Sequence, residues 1–180
     1  MNNLQDETDV ILVSVVIPVY NSSHLIKNLF VSLINQTYKN FEVLVCDDGS
    51  TDNIESVVDS FRSKLKIKFF KIKNFGGPAA ARNIGIENSI GDLIAFVDAD
   101  DWWDRNKLEL SVKAFDENTD LLYHSLRIVK KNTGIFEKKI LRGKHLIAPI
   151  FNDLILSLSI EAFSKSSFSL ASSICLDKFF

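Results

Sequence analysis

Cysteine, methionine and proline are scarce in this sequence, and each scarcity excludes something. Two cysteines in 180 residues, Cys46 and Cys175, cannot build a disulfide scaffold or a thiolate zinc centre. Cys46 lies in the apolar run FEVLVC, so a buried free thiol is expected there. Only three prolines, beside 46% hydrophobic residues, argue against disorder. No sign of charge dominates: 21 basic and 23 acidic side chains leave a formal net charge of −2. Bulk attraction to nucleic acid is therefore not expected. Long apolar runs are missing too. The stretch LIAPIFNDLILSLSI is interrupted by Pro149 and Asp153 and falls short of the roughly 20 residues that a membrane span needs. The opening MNNLQDETD is acidic and polar, where a secretory leader would be basic and then apolar. These absences predict a soluble, cytoplasmic chain.

What is present is enough for one core. The chain is 46% hydrophobic and 24% charged, with fourteen phenylalanines, so the expectation is a loose leader over residues 1–10 and one domain over 11–180. LVSVVIPVY is β-branched and apolar on both faces, as a buried parallel strand must be. SSHLIKNLFVSLINQT follows with Leu25, Leu29 and Leu33 four residues apart, and Ser22 or Ser23 is placed to cap it. FEVLVCD, KIKFFKI and DLIAFVD read as further strands, KIKFFKI as one near an edge because it alternates. TDNIESVVDSFRSK, GPAAARNIGIENSI and DRNKLELSVKAFDE read as helices, Pro78 opening the second of these. LLYHSLRIV predicts a fifth strand, with KKNTG turning into IFEKKIL. Strands alternating with helices mean an α/β fold, a mostly parallel sheet with helices on both faces.

Ligands bind beyond the carboxyl ends of strands in such sheets. Here those ends carry Pro18, Val19, Tyr20 and Asn21, then DDGSTD from Asp47 to Asp52, then DADD from Asp98 to Asp101. One acid at a strand end is often only a helix cap. Acids at two ends point to a shared site. Three carboxylates within four residues repel unless neutralised, and a hard divalent cation, Mg²⁺ or Mn²⁺, suits carboxylate oxygens. On an extended segment Asp98 and Asp100 would share a side, leaving Asp101 to turn elsewhere or to cap the next helix. Neither G-x-G-x-x-G nor G-x-x-x-x-G-K-[ST] occurs, so no glycine-rich loop would cradle phosphates. Trp102 and Trp103 fit either core packing at the helix entry or stacking on an acceptor.

VSVVIPVYN, FEVLVCDDGSTDN, NFGGPAAARNIGIENSIGDLIAFVDADD and WWDRNKLE, in that order, resemble the family 2 inverting glycosyltransferases of the GT-A fold. The resemblance covers roughly residues 13 to 130. It implies a nucleotide-sugar donor, usually UDP-linked, with Mn²⁺ or Mg²⁺, and a glycan or lipid-linked acceptor. By that resemblance Pro18, Val19, Tyr20 and Asn21 line the nucleoside and Asp48 hydrogen-bonds the base. Arg82 and Asn83 lie near the phosphates and sugar, Asp98 and Ala99 near the ribose and sugar, and Asp100 holds the metal. For Arg82 an ion pair with a nearby acid is the other reading. Peripheral association with the inner face of the membrane and self-association through LIAPIFNDLILSLSI are further expectations.

Inversion needs a general base on the acceptor side. The family base is an acid well beyond the D-x-D, and the candidates here, Asp153, Glu161 and Asp177, match it poorly. The expectation is a base beyond Phe180, so that these 180 residues bind donor and metal but transfer poorly. The rival reading is a nucleotide-sugar-binding fragment or pseudo-enzyme. A nucleotidyltransferase would carry a glycine-rich loop after the first strand, and a haloacid-dehalogenase phosphatase would carry its acids on the first strand.

Overall fold

A computed structural model of the protein describes residues 11–115, 119, 121–122 and 162–164. Four parallel strands are laid down with a helix after each: β1 (Val13–Val19), α1 (Ile26–Ile34), β2 (Phe41–Asp47), α2 (Ile54–Asp59), β3 (Ile67–Lys71), α3 (Pro78–Glu87), β4 (Leu93–Phe96) and α4 (Lys107–Ala114). Two short strands follow, β5 (Leu121–Leu122) and β6 (Ala162–Ser164). The sheet order is β3-β2-β1-β4-β6-β5, with β6 antiparallel to β4 and β5 antiparallel to β6. The mostly parallel expectation therefore holds, and KIKFFKI is at the edge, as its alternation predicted. The other predicted elements, the rest of LLYHSLRIV, the KKNTG turn and LIAPIFNDLILSLSI, lie outside the described residues, as do residues 1–10 and Cys175. Among the described residues no helix is long and apolar enough to cross a membrane.

The period of two in the strands divides the core between the sheet's faces. Val15, Ile17, Val19, Val43, Val45, Leu93, Ala95, Val97 and Ala99 fill one face beneath α1, α2 and α4. Val16, Leu44, Cys46, Ile94 and Phe96 fill the other beneath α3. Each fully buried aliphatic side chain contributes about 1.5–3 kcal/mol. Seating α3 needs Gly85: a Cβ there would lie 2.3 Å from Val16 Cγ1 and 3.2 Å from Cys46 Sγ. Cys46 is the free buried thiol expected, and burial pushes its pKa up to about 12. Cys46 should resist iodoacetamide at pH 8 in the folded protein and react once it is unfolded, as peptide mapping would show; prompt labelling of the folded chain would contradict that.

Chain order places a topological switch between β1 and β4, because the chain moves outward from β1 through β3 and then returns to β1's other side. β4 pairs with β1 only as far as Val16 opposite Phe96, while β1 continues beside β2 to Val19 opposite Asp47. The result is an open crevice at the carboxyl edge, where ligands of such sheets bind. Pro18 is tolerated for the same reason. Val16 C=O accepts from Val97 on the β4 side and Val19 C=O accepts from Asp48 on the β2 side. Pro18 therefore faces the β4 side, past β4's end, where no partner needs its missing N–H.

One cap differs from expectation. Neither Ser22 nor Ser23 caps α1 with its side chain. The Ser22 hydroxyl donates to Tyr20 C=O, and it is Ser22 C=O that accepts the N–H groups of Leu25 and Ile26.

Candidate functional site

The loops after β1 and β2 are fastened to each other. The Asn21 N–H donates to Ser50 Oγ at 2.9 Å, and the Asn21 side chain accepts from Thr51 N–H at 2.9 Å. Ser50 N–H donates to Asp47 Oδ1 at 2.8 Å, and Ser23 N–H to Asp52 Oδ2 at 2.8 Å. Asn21 sits at φ 48°, a left-handed conformation that asparagine tolerates better than most residues. Asp47 is wholly buried. Its Oδ2 accepts no hydrogen bond among the described residues, but Lys71 Nζ lies 3.8 Å away. Ser50, Thr51 and Asp52 escaped the sequence reading, although their place within DDGSTD was the available signal. Tyr20 emerges from this clamp half-exposed.

Asp48 directly follows β2 and donates its N–H to Val19 C=O at 2.9 Å. Its side chain is only 4% exposed and has a task that sequence reasoning missed. Oδ1 accepts the Phe75 N–H at 2.8 Å, and Oδ2 accepts the Gly77 N–H at 3.3 Å. Asp48 therefore anchors the loop between β3 and α3. Each carboxylate oxygen has two acceptor sites, so Oδ2, with a single long bond among the described residues, retains capacity for another donor. Gly49 makes room for this loop: at φ 74° a Cβ would meet Asn74 N at 2.8 Å.

The third segment departs from the extended D-x-D expected. β4 ends at Phe96, and residues 98–101 form a turn closed by Asp101 N–H on Asp98 C=O at 3.1 Å. Burial still separates them: Ala99 is buried, Asp98 partly exposed and Asp100 exposed. Asp98 is already neutralised, since Arg82 Nη2 of α3 lies 2.8 Å from its Oδ1. The ion-pair reading of Arg82 is thus present, and the three acids do not all depend on a metal. Arg82 Nε is buried without a hydrogen-bond partner among the described residues. Asn83, beside it on α3, is half-buried. Asp101 does not cap α4, which starts at Lys107 with Asn106 as its N-cap.

Among the described residues no group of three His, Cys, Asp or Glu side chains forms a ready metal cage. Mg²⁺ and Mn²⁺ do not require one, because one or two carboxylates suffice when water and phosphates complete the shell. Asp100 is exposed and has no hydrogen-bond or ion-pair partner among the described residues, which fits that minimal demand.

The segment after the acids is pinned to α1. Trp103 N–H donates to Ser32 Oγ at 3.2 Å, and Gln36 donates to Asp104 C=O at 2.8 Å while accepting from Leu108 N–H at 3.0 Å. The core-packing reading holds for Trp103 and not for Trp102. Trp103 is buried in the core, with Lys107 Nζ 5.3 Å from its ring centre. Trp102 is exposed and borders a cavity of about 990 Å³ between α1 and residues 102–105. Asp153, Glu161 and Asp177, considered as bases, lie outside the described residues.

A family model described as glycosyl transferase family 2 matches residues 14–169. An uncharacterised glycosyltransferase of Rickettsia felis is 45% identical over 113 residues, 63% of this chain and 19% of that protein. The Escherichia coli enzyme WfgD, a UDP-Glc:α-D-GlcNAc-diphosphoundecaprenol β-1,3-glucosyltransferase, is 39% identical over 123 residues, 68% of this chain and 48% of that protein. The crystal structure of Staphylococcus aureus TarS 1-349 in complex with UDP-GlcNAc superposes with a TM-score of 0.66 at 27% identity, covering 90% of this chain and 48% of that one. The chain therefore spans less than half the length of each of these relatives.

Proposed function

Because the chain belongs to glycosyl transferase family 2 and has the GT-A fold, we propose that its carboxyl edge binds a UDP-linked sugar for transfer, with inversion, to a glycan or lipid-linked acceptor. The observation that carries this reading is that three adjacent strands, β2, β1 and β4, lead into polar and acidic residues along one carboxyl edge of the sheet. Tyr20, Asp48, the Arg82–Asp98 pair and Asp100 all stand along it. In support, TarS is crystallised with UDP-GlcNAc, and the name of WfgD gives it a UDP-Glc donor and a lipid-diphosphate acceptor.

Each residue has a physical task in this reading. Asp48 Oδ2 accepts the imide N–H of uracil, which cytosine lacks. Pro18 and Val19 border the nucleoside, and Asn21 holds the Tyr20 loop. Arg82 and Asn83 face the diphosphate and sugar, while Asp98 and Ala99 flank the ribose. Asp100 would hold Mn²⁺ or Mg²⁺. When bound, the cation stabilises the leaving diphosphate as its charge develops.

Calorimetric titration of UDP and CDP in the presence of Mn²⁺ tests the assignment. UDP is expected to bind at least about tenfold more tightly, the scale of one well-placed hydrogen bond to a charged group. Equal binding of the two nucleotides would remove Asp48 as the reader of the base, and no UDP binding would remove the donor site.

A further inference from the structure

The basic side chains of this protein are not spread evenly. Residues 62–73, RSKLKIKFFKIK, hold six of them, Arg62, Lys64, Lys66, Lys68, Lys71 and Lys73, and no acid. The formal net charge of the chain is −2, so the residues outside this stretch sum to −8. Such segregation sets a local positive potential on an acidic body. The stretch spans β3 and its flanks. Among the described residues β3 lies at one end of the sheet and pairs with β2 alone, so these cations stand along an open edge.

Lysines on an edge strand also discourage pairing with another sheet. That role, and ties within the fold, account for half of the six. Lys68 Nζ lies 2.9 Å from Glu42, Lys71 Nζ 3.8 Å from Asp47 and Arg62 Nε 2.7 Å from Asp59. Lys64, Lys66 and Lys73 are different. They are exposed and have no ion-pair or hydrogen-bond partner among the described residues. All three lie outside the bounds of β3, Ile67–Lys71, where edge protection does not call for them.

The strand order relates this edge to the site. Two strands, β2 and β1, separate β3 from the crevice between β1 and β4. At about 4.8 Å per strand, the crevice stands roughly 12 Å in from the basic edge. A flat anionic surface laid against β3 leaves the crevice open and close to groups that project from that surface. A dissolved polyanion would gain nothing from this distance.

We propose that the β3 edge, through Lys64, Lys66 and Lys73, is a docking strip for an anionic lipid bilayer. The inference rests on the lipid-linked acceptor of the reading above and names the surface that brings it near.

Vesicle flotation tests it. Phosphatidylcholine vesicles, with and without phosphatidylglycerol, would be floated with the unaltered chain and two triple variants. One is Lys64→Gln, Lys66→Gln, Lys73→Gln; the other, Lys27→Gln, Arg105→Gln, Lys113→Gln, removes equal charge elsewhere. The unaltered chain should float only with phosphatidylglycerol, and less as salt is added. One lysine near an anionic surface contributes about fivefold, so the edge variant should lose on the order of a hundredfold in vesicle affinity. The control variant should lose little, and both should keep the UDP affinity and melting temperature of the unaltered chain. No preference for phosphatidylglycerol, or equal losses in the two variants, would overturn the inference. So would tighter binding to duplex DNA than to these vesicles through the same lysines, which would make the edge a nucleic-acid surface. Vesicle binding as expected, with no UDP binding by the unaltered chain, would instead remove the donor-site reading and leave the edge contact standing.

Discussion

Asp100→Ala is expected to abolish the Mn²⁺-dependent part of UDP binding and to leave folding untouched. The side chain is exposed and its carboxylate has no partner among the described residues, so the melting temperature should stay within about 1 °C, the range of neutral surface substitutions. The loss of affinity should be large. Replacing groups that merely support a metal ligand costs about 10–100-fold, and a ligand itself should cost at least that. Calorimetry with Mn²⁺ and with EDTA checks it: the variant should match the unaltered chain in EDTA. Full Mn²⁺ dependence in Asp100→Ala would move the metal elsewhere. Asp98→Ala is not an equivalent experiment, because it also frees Arg82 from its 2.8 Å ion pair.

Glu42→Ala should cause the largest loss of stability, at the opposite edge of the sheet from the site. Glu42 is fully buried near the start of β2. Its Oε1 accepts from Ser14 Oγ at 2.8 Å and from Ile90 N–H at 3.0 Å, and Lys68 Nζ lies 2.9 Å from Oε2. Ser14 Oγ also accepts the Gly91 N–H at 2.9 Å. One carboxylate thus fastens β1, β2, β3 and the turn into β4. Removing it strands the buried Ser14 hydroxyl at about 1–3 kcal/mol and loses the part-buried Ile90 bond at about 1 kcal/mol, whereas the partly exposed Lys68 rehydrates and adds little. A total of about 2–4 kcal/mol, or roughly 10 °C in melting temperature, should be read by thermal denaturation, with nucleotide affinity at temperatures below melting retained.

The same carboxylate gives the pH dependence a sign. Burial alone would raise the pKa of Glu42, but the Ile90 N–H, Lys68 and Ser14 outweigh it and hold it below the ordinary glutamate value. A carboxyl group depressed in the folded state stabilises fully above its unfolded pKa and loses that contribution as pH falls through the folded one. The stability gap between the unaltered chain and Glu42→Ala should therefore be full at neutral pH and narrow in acid. A gap that widened on acidification would contradict the assignment.

β1, β2 and β4 were legible because their residues are apolar on both faces, as a covered parallel sheet requires, and β3 because it alternates. The acids were legible because the apolar runs of β2 and β4 break off into them. What local pattern could not show were contacts that need the topology. Arg82 meets Asp98 because α3 and β4 are neighbours in space, and nothing in the spacing of the two residues announces a pair. Asp48 looked like a free acceptor, yet its oxygens serve backbone N–H groups from a loop beyond β3. Phe75 had no periodic partner to mark it. The D-x-D spacing suits an extended segment, but β4 ends at Phe96 and the chain turns at Asp98. The α1 cap came from a carbonyl, which side-chain preferences cannot reveal.

Gly85 is a spacer of zero thickness. It lets α3 rest directly on Val16 and Cys46, with no room even for a methyl group. Arg82 lies three residues earlier on the same helix, close to one turn away. The height at which its guanidinium stands above the crevice is thus gauged by bare backbone touching the sheet. A shim of one carbon at residue 85 would raise the whole helix and draw Arg82 off Asp98, so a change made deep in the hydrophobic interior would be felt first where charge meets solvent.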